Sequence, residues 1–350
     1  MKKYKIGILG YFANGKSKSG GQEAKTCSMD RLLKNKFGIK NILNIDTTDW
    51  KQHKIKLFFK LLILPIVCKN IVVLPAQNSI KYIIPILSIV NIFFKRKIFY
   101  SVVGGWLPEY LNSHKYLIFF LKKINKIWVE TVTMRDDLRN VQIYNVDIIP
   151  NFKYLNEITL QEISHFKYDV PFKLCIFSRI VQEKGIEDAI EAVRYINKSH
   201  GKIIFTLDIY GKIEEIYLLE FKKLLKELPS YIIYKGVIEP EKSVQILKNY
   251  YALLFPTRYY TEGLPGTIID AYTAGVPVIS SLWKNHKDIF KDGITGRGYE
   301  FKNVESLKFI LNEIALHPQS MILMKKNCLL EAQKYKPCVI MKKLEKYFID

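Results

Sequence analysis

Short apolar runs alternate with longer amphipathic segments along almost the whole chain, and this alternation limits the folds open to it. The apolar runs predict strands at 5–9, 41–45, 71–74, 98–103, 126–130 and 147–149 in the first half, and at 173–178, 203–210, 231–235, 252–255 and 276–280 in the second. Helices are predicted between them, among others at 22–36, 79–94, 185–197, 213–228, 240–248 and 266–274, and the last 45 residues have a helical pattern throughout. Strands that alternate with helices of about 10–15 residues are typical of βαβ units and parallel sheets.

The alternation is interrupted at residues 151–170, which have no strong period and are interpreted as a linker. At roughly 100–200 residues per domain, the 350 residues of the chain predict two domains, at 1–165 and 166–335. We therefore expect an α/β protein in which two doubly wound, Rossmann-like domains face a cleft. Ligands of such sheets bind at the carboxyl ends of the strands, so the functional residues are sought in the loops that follow strands.

The charge of the chain is large and unevenly distributed. With 54 basic and 33 acidic residues the net charge is +21, and residues 1–150 contribute 25 basic and 9 acidic residues. The segment 51–100 has nine basic residues and no acidic one. Such a field attracts nucleic acid, anionic lipid or phosphate-rich small molecules. An AT-rich genome also favours Lys, Ile and Asn, which explains the total charge better than its asymmetry.

The sequence indicates a cytoplasmic protein without a membrane span. The five cysteines contain no C-x-x-C pair, which is typical of free thiols in a reducing compartment and predicts neither disulfides nor a zinc site. The first ten residues are too short in their apolar part for a signal peptide. The apolar runs 55–68 and 82–94 fall short of the roughly 18–20 uninterrupted residues that a span requires. Each is predicted to be either a buried helix or one that dips into a membrane surface.

Residues 10–17, Gly-Tyr-Phe-Ala-Asn-Gly-Lys-Ser, match the P-loop pattern G-x-x-x-x-G-K-[ST] and follow a predicted strand. A P-loop helix begins at the Gly-Lys-Ser itself, and Gly20 and Gly21 would then disfavour its first turn by roughly 1 kcal/mol each. The run 71–74 is followed by Pro-Ala and not by a Walker-B Asp. The pattern favours a helix that starts near Gly20, with backbone N–H groups free to approach an anion. A P-loop NTPase or kinase that uses Gly10–Ser17 stays open as an alternative.

The segment 262–280 carries the densest set of candidate site residues, directly after a predicted strand. Gly263 and Gly266 permit tight backbone geometry and close ligand approach. The free N–H groups at the start of the following helix favour negative charge. Glu262 in the loop and Asp270 about one turn into the helix can accept hydrogen bonds from sugar hydroxyls.

A second candidate segment, Ser-Arg-Ile-Val-Gln-Glu-Lys-Gly at 178–185, follows the first strand of the same half. Arg179 offers a planar fork and Lys184 a point charge, and both suit a diphosphate. Taken alone, the segment equally fits a solvated loop whose two bases have no function.

Together these segments resemble the family-4 retaining glycosyltransferases of the GT-B fold. The likeness covers residues 170–300 and rests on Ser-Arg-x4-Lys-Gly at 178–185, the Glu-x7-acid element at 262–270, Ala-x2-Ala-Gly-x-Pro-Val-Ile at 271–279 and Lys-Asp-Gly-Ile-Thr-Gly at 291–296. In the first half it is limited to Gly20-Gly21 and to Ile-Pro-Asn at 149–151. The resemblance implies the GT-B architecture, with a carboxyl-terminal helix at 336–350 that packs back on the first domain.

The resemblance also implies a nucleotide diphosphate-sugar donor, with UDP-sugar as the default, bound by the second domain. Arg179 and Lys184 would neutralise the diphosphate, and Glu262 would hydrogen-bond the donor sugar. The loop that would contact the sugar or phosphate comprises Gly263, Leu264, Pro265 and Gly266. Asp270 would hold the ribose, although the family usually has Glu there. Backbone near Gly211, Val237 and Ile238 would contact the base.

The first domain would bind the acceptor, a glycan or a lipid-diphosphate-linked sugar. The family often has a His near the end of the fourth strand that contacts the donor sugar. Here Gly104 and Gly105 stand in that region, and they and Gly20 and Gly21 are the candidate cleft residues. No cofactor or metal is expected, since the resemblance implies metal-independent transfer and the chain contains no Asp-x-Asp.

The basic first domain would suit docking to anionic lipid at the inner face of the plasma membrane, in the synthesis of capsule, lipopolysaccharide or another cell-surface polysaccharide. No nucleic-acid partner is expected, because no recognition motif accompanies the charge. Besides the P-loop enzyme, a non-catalytic basic binding protein remains an alternative.

Overall fold

The computed structural model describes residues 3–13, 20–164 and 169–349, which form two compact units. The first unit consists of the chain up to Lys153 together with the segment from Pro337 onward, and the second runs from Tyr154 to Lys336. The chain changes unit earlier than the sequence suggests, because Ile158 is already buried in a core of the second unit.

The described residues form strands and helices in alternation. The strands are β1 (Tyr4–Gly10), β2 (Ile42–Asp46), β3 (Cys68–Leu74), β4 (Lys97–Ser101), β5 (Lys126–Val129), β6 (Val146–Ile148), β7 (Phe172–Phe177), β8 (Phe205–Tyr210), β9 (Ile232–Gly236), β10 (Ala252–Phe255), β11 (Val278–Ser281) and β12 (Gly296–Tyr299). The α-helices are α1 (Gly21–Phe37), α2 (Lys54–Val67), α3 (Ile80–Phe94), α4 (Leu107–Ser113), α5 (Tyr116–Leu121), α6 (Val132–Asn140), α7 (Leu160–Ser164), α8 (Ile186–Ser199), α9 (Leu218–Lys226), α10 (Ser243–Leu247), α11 (Gly266–Thr273), α12 (Val304–Leu316), α13 (Gln319–Ala332) and α14 (Pro337–Leu344).

The first unit is built on a parallel sheet with the strand order β2-β1-β3-β4-β5-β6. Its inner strands are near-continuous apolar runs, as expected for parallel strands with both faces covered. Ile71, Val72, Val73 and Leu74 of β3, for example, are completely buried. Helices α2, α3 and α5 pack on one core of this sheet.

The carboxyl-terminal segment packs on the sheet of the first unit. The ring of Phe348 lies 5.3 Å from that of Phe99 and 6.2 Å from that of Trp128. The Tyr347 hydroxyl donates to Asp147 at 2.6 Å. The chain therefore passes from the first unit to the second and returns to the first for its last helix.

The second unit is built on a parallel sheet with the order β12-β11-β10-β7-β8-β9. Read from β9, this is the 3-2-1-4-5-6 order of a doubly wound dinucleotide-binding fold. The direction of winding reverses between β7 and β10, which are hydrogen-bonded neighbours. Helices α8 and α12 cover one core of the sheet, and α11 and α13 contribute to the other.

The predicted α/β class with two doubly wound parallel sheets is confirmed, and a strand is present at each predicted position. Strand β12, Gly-Arg-Gly-Tyr, is additional, since its sequence has no apolar run. Within the described ranges no helix is long and apolar enough to cross a bilayer. The P-loop alternative depends on Gly15, Lys16 and Ser17, which lie outside those ranges, and α1 begins at Gly21.

Candidate functional site

The candidate site of the second unit lies where the winding of its sheet reverses. Ligands of doubly wound sheets bind outside the carboxyl ends of the strands at this point. Here the two loops concerned follow β7 and β10, and they are residues 178–185 and 256–265. The predicted catalytic residues Arg179, Lys184 and Glu262 lie in these two loops.

The loop after β7 is held in place by a glycine. Gly185 has a φ of +64°, and a Cβ at this position would lie 1.9 Å from the carbonyl oxygen of Pro256 in the second loop. Only glycine fits there, because both the left-handed backbone and the close approach exclude a side chain. The short 3-10 turn Gln182–Lys184 precedes it and places Lys184 just before α8.

The loop after β10 is fixed by hydrogen bonds around Glu262. The side-chain amide of Asn285 donates to the Glu262 carbonyl at 2.6 Å, and the Thr257 hydroxyl donates to the Glu262 carboxylate at 3.3 Å. Leu264 is 3% exposed and anchors the loop in the core. Pro265, in extended conformation, is the N-cap of α11.

Lys184 and Glu262 form an ion pair between the two loops. Their side chains are 17% and 14% exposed, so both remain reachable from solvent. The Lys184 ammonium also lies 5.7 Å from the centre of the Phe255 ring. Two residues that are 78 positions apart in the sequence thus place a cation and a carboxylate at one point of the sheet edge.

Arg258 ties the same two loops together, and the sequence analysis did not single it out. Its guanidinium donates two hydrogen bonds to the carboxylate of Asp188 in the first turn of α8, at 2.9 and 2.6 Å. Its backbone N–H donates to the Glu183 carbonyl at 2.8 Å. The hydrogen bonds to Asp188 raise the pKa of Arg258 above its usual value. The available signal was an Arg in the candidate loop, but nothing in the sequence identified Asp188 as its partner.

Arg179 lies in the loop after β7 but is more exposed than Lys184. Its guanidinium pairs with Glu214 at 3.3 Å, and the two side chains are 51% and 33% exposed. The two predicted diphosphate-binding cations are therefore each paired with a carboxylate. An anion that binds there would compete with Glu214 and Glu262.

Asp270 lies in α11, where its residue is 4% exposed. The helix is short, and its N-terminus directly follows the Glu262 loop. The carboxylate thus belongs to the same βα connection as Glu262 but is more deeply buried.

The predicted base-contacting residues lie at the ends of β8 and β9. Gly211 has a φ of +146°, and a Cβ there would lie 1.6 Å from the Ser178 carbonyl oxygen, so this position also requires glycine. Its N–H donates to the Gly236 carbonyl at 2.9 Å, and its carbonyl accepts from the Tyr234 hydroxyl at 2.8 Å. Val237 is 63% exposed, whereas Gly211 and Ile238 are half-buried.

The glycine candidates of the first unit differ in their environment. Gly20 is the N-cap of α1, and a Cβ at Gly20 or Gly21 would meet no atom within 4 Å. Gly104 follows β4 with a φ of +79°, and its Cβ would approach the Trp106 ring at 3.3 Å. Gly105 is buried. The left-handed backbone thus favours glycine at position 104, whereas positions 20 and 21 have room for a side chain.

The described part of the chain contains no group of three or more His, Cys, Asp or Glu residues arranged to hold a metal ion. The charged centre of the candidate site is the ion pair between Lys184 and Glu262.

A family model matches most of the second unit. Residues 158–327 match the model "Glycosyl transferases group 1". The match lies within the second unit and covers slightly less than half of the chain. No curated protein matches the chain by sequence.

Solved structures match the whole chain. HepE of Anabaena in complex with UDP superimposes with a TM-score of 0.78 at 16% identity, over 98% of each chain. The same protein with UDP-glucose gives 0.75 at 15% identity, again over 98% of each chain. Sucrose-phosphate synthase from Thermosynechococcus elongatus gives 0.79 at 13% identity, over 99% of this chain and 98% of its own. The predicted GT-B fold is confirmed by these matches.

Proposed function

We propose that the protein is a retaining, metal-independent glycosyltransferase that uses a UDP-sugar. The proposal depends above all on the Lys184–Glu262 pair at the reversal point of a group 1 glycosyltransferase domain. HepE, which has the same fold, binds UDP and UDP-glucose, and this supports uridine as the base of the donor.

In this proposal the donor diphosphate replaces the carboxylate partners of the two cations. Lys184 turns from Glu262 to the phosphate, and Arg179 turns from Glu214. Glu262 is then available to accept hydrogen bonds from the sugar hydroxyls. The loop residues Gly263, Leu264 and Pro265 and the start of α11 at Gly266 face the sugar and phosphate. Asp270 holds the ribose. Arg258 is a positioning residue that keeps the two loops in register.

The barrier to transfer is the loss of the diphosphate. The bond from the anomeric carbon to the diphosphate oxygen breaks, and the acceptor oxygen attacks that carbon from the same face. The acceptor proton passes to the departing phosphate, so the configuration at the anomeric carbon is retained. The Lys184 ammonium stabilises the negative charge that develops on the leaving group, and this lowers the barrier because that charge is larger in the transition state than in the bound donor.

The acceptor in this proposal is a glycan or a lipid-diphosphate-linked sugar, bound through the first unit. The product would enter a cell-surface polysaccharide such as capsule or lipopolysaccharide. The enzyme would work in the cytoplasm, at the inner face of the plasma membrane. The strongly basic composition of residues 1–150 supports an acceptor that carries phosphate or sits in anionic lipid.

The first test is a thermal-shift screen against UDP, GDP, ADP, ATP and CMP, with magnesium and with a chelator. We expect UDP to raise the unfolding midpoint without magnesium, because a ligand that binds only the native state stabilises it by mass action. Lys184→Ala should weaken UDP binding about tenfold to a hundredfold, the effect of one lost charge-assisted contact of about 1.5–3 kcal/mol. Lys198→Ala, at the exposed far end of α8, should leave UDP binding unchanged.

A midpoint that responds to ATP only with magnesium, and loses this response in Lys16→Ala, would replace the transferase with the P-loop enzyme. No response to any nucleotide would also contradict the proposal. Once an acceptor is found, the anomeric configuration of the product, read by NMR, tests retention.

A further inference from the structure

Helix α2 carries an apolar stripe that faces solvent. The side chains of Ile55, Phe58, Phe59, Ile63 and Ile66 are 76%, 44%, 56%, 46% and 41% exposed. Their spacing of three and four residues places them along one face of the helix. The opposite face is already used, since Leu57, Leu61 and Leu64 are buried in the core of the first unit.

Helix α3 repeats this arrangement beside α2. Ile89, Ile92 and Phe93 are 52%, 60% and 81% exposed, whereas Ile83, Ile84 and Leu87 are completely buried. The two helices pack against the same core, and the Arg96 guanidinium donates to the Pro65 carbonyl at 2.8 Å, which joins their carboxyl-terminal ends. We call the eight exposed residues of α2 and α3, from Ile55 to Ile66 and from Ile89 to Phe93, the α2–α3 face.

Neither helix requires these side chains for its own folding. A surface helix of a globular protein has one apolar face toward the core and polar residues on the other. Here both faces are apolar, and the exposed set includes three phenylalanines. Eight exposed apolar side chains on two helices that pack against each other indicate a surface that binds something.

The charge around the α2–α3 face restricts what that partner is. Between residues 51 and 100 there are nine basic side chains and no acidic one. Lys54, Lys56 and Lys60 lie within α2 among the exposed apolar residues, and Lys95, which follows α3, is exposed as well. Lysine keeps its ammonium in water while its apolar stem covers neighbouring apolar surface. The α2–α3 face therefore combines exposed apolar side chains with cationic groups on the same helices.

We propose that the α2–α3 face docks on an anionic lipid bilayer, with the phenylalanines and isoleucines in the headgroup–acyl boundary and the lysines at the lipid phosphates. Amphipathic helices bind membranes in this way, by apolar burial together with attraction to anionic lipid. The proposal gives a specific surface to the membrane location suggested above, and it does not depend on the transferase activity.

A second copy of the chain fits this face less well. A symmetric dimer places the same patch on both sides of the interface. The lysines beside the face, Lys54, Lys56, Lys60 and Lys95, would then meet the same lysines of the second copy, and the segment 51–100 has no acidic residue to pair with them, which opposes association. An anionic lipid surface removes this repulsion.

The test is flotation of the full-length protein with phosphatidylcholine vesicles, with and without phosphatidylglycerol, at low and high salt. We expect binding only to the vesicles with phosphatidylglycerol and weaker binding at high salt. Phe59→Asp with Phe93→Asp should lower the partition coefficient at least about tenfold, since two aromatic side chains no longer enter the boundary. Lys56→Glu with Lys60→Glu should lower it at low salt and matter less at high salt.

Matched controls come from the second unit. Leu323→Asp with Leu330→Asp changes two leucines on α13 that are 77% and 61% exposed, against 56% and 81% for Phe59 and Phe93. Lys222→Glu with Lys223→Glu changes two exposed lysines on α9. Neither pair should change flotation. The UDP-dependent thermal shift should be the same in all variants, which separates a lost membrane contact from misfolding and from failure of the proposed transferase.

Three results would overturn the docking proposal. They are no flotation with phosphatidylglycerol at low salt, flotation that the α2–α3 substitutions leave unchanged, and a self-associated protein in sedimentation that these substitutions convert to a monomer. The last result would assign the face to a second copy.

Discussion

Lys325 is a buried cation in the middle of α13. Its residue is 2% exposed, and its ammonium donates to the carbonyl of Gly275 at 3.2 Å and to that of Tyr250 at 3.5 Å. Burial lowers its pKa from 10.5 to about 8, because the charged form loses its hydration. In the unfolded chain the same ammonium keeps its ordinary pKa. Between the two pKa values the unfolded state therefore binds more protons than the folded state.

This difference predicts the pH dependence of stability. The penalty for burying the charged Lys325 side chain is fully present below pH 8 and disappears as the pH rises toward 10.5. The loss of this penalty raises the free energy of unfolding by up to about 3 kcal/mol across that range. Urea unfolding of the wild type and of Lys325→Met at several pH values measures it. The variant should lack this increment, whereas Lys326→Met, a change at the exposed neighbouring position, should retain it.

The difference between wild type and variant is the relevant quantity, because other groups titrate in the same range. Burial raises the pKa values of Cys175 and Cys328, and these thiols lower stability at high pH in both proteins. Equal slopes for wild type and Lys325→Met would show that Lys325 titrates normally in the folded protein.

Lys184 and Glu262 were predicted from loops that follow strands and from a resemblance to a known family. The structure brings the two side chains together, and their roles in donor binding stay predictions. The sequence did not predict Arg258 as a site residue, because its role depends on Asp188, which lies 70 residues away in the chain. The burial of Lys325 was not predicted either, since nothing in the local sequence of α13 distinguishes a buried lysine from an exposed one.

At the level of elements, α1 is fixed to the end of β5 by a buried ion pair. The Lys25 ammonium lies 2.5 Å from the Glu130 carboxylate, and the two side chains are 1% and 2% exposed. Lys25 also donates to the Val102 carbonyl at 2.9 Å, just after β4. One side chain of α1 thus contacts the carboxyl ends of two neighbouring strands.

Lys25→Met should destabilise the protein by about 3–5 kcal/mol, because the buried Glu130 carboxylate would lose the ammonium that pairs with it. The double variant Lys25→Met with Glu130→Leu should recover part of that loss, since both charges are then removed. Urea unfolding of the set provides the free energies. The control is Lys34→Met, which breaks the more exposed Lys34–Asp30 pair on the same helix and should cost less than about 1 kcal/mol. A Lys25→Met protein as stable as wild type would show that the buried pair contributes nothing.

Elements were predicted where the apolar period was clear and missed where it was weak. Strand β12 has only Tyr299 as a buried apolar side chain, so its place in the sheet follows from pairing with β11. The fate of α2 was open between a buried helix and a surface one. Its sequence is apolar on both faces, and only the fold shows that one of them is left uncovered.

At the scale of the whole molecule, the order of the strands decides which loops form the site. The alternation of strands and helices predicts parallel sheets but does not state which strands are neighbours. The pairing of β7 with β10 brings the Lys184 loop beside the Glu262 loop, although 78 residues separate the two side chains. A resemblance to known enzymes supplied this information before the structure did.

The net charge of +21 is a property of the whole molecule. The effect of salt on the binding that this charge causes distinguishes the proposed enzyme from a basic binding protein. Contacts to nucleic-acid phosphates release counter-ions, so six to ten of them lose about 10³–10⁵ in affinity between 50 and 200 mM salt. We expect duplex DNA to bind at low salt, to be lost at physiological salt and to show no sequence preference. UDP binding, which uses the few charges around Lys184 and Glu262, should persist under the same conditions.

Fluorescence anisotropy with labelled duplexes across a salt series, beside calorimetry with UDP, measures both affinities on one preparation. Lys56→Glu with Lys60→Glu should reduce the salt slope for DNA and leave UDP affinity unchanged, because the charges of α2 contribute to the general field and lie outside the candidate site. Tight, sequence-dependent DNA binding at 200 mM salt, together with no UDP binding, would reverse the assignment. The protein would then be a DNA-binding protein that uses its positive charge, and the GT-B fold would have no catalytic function in it.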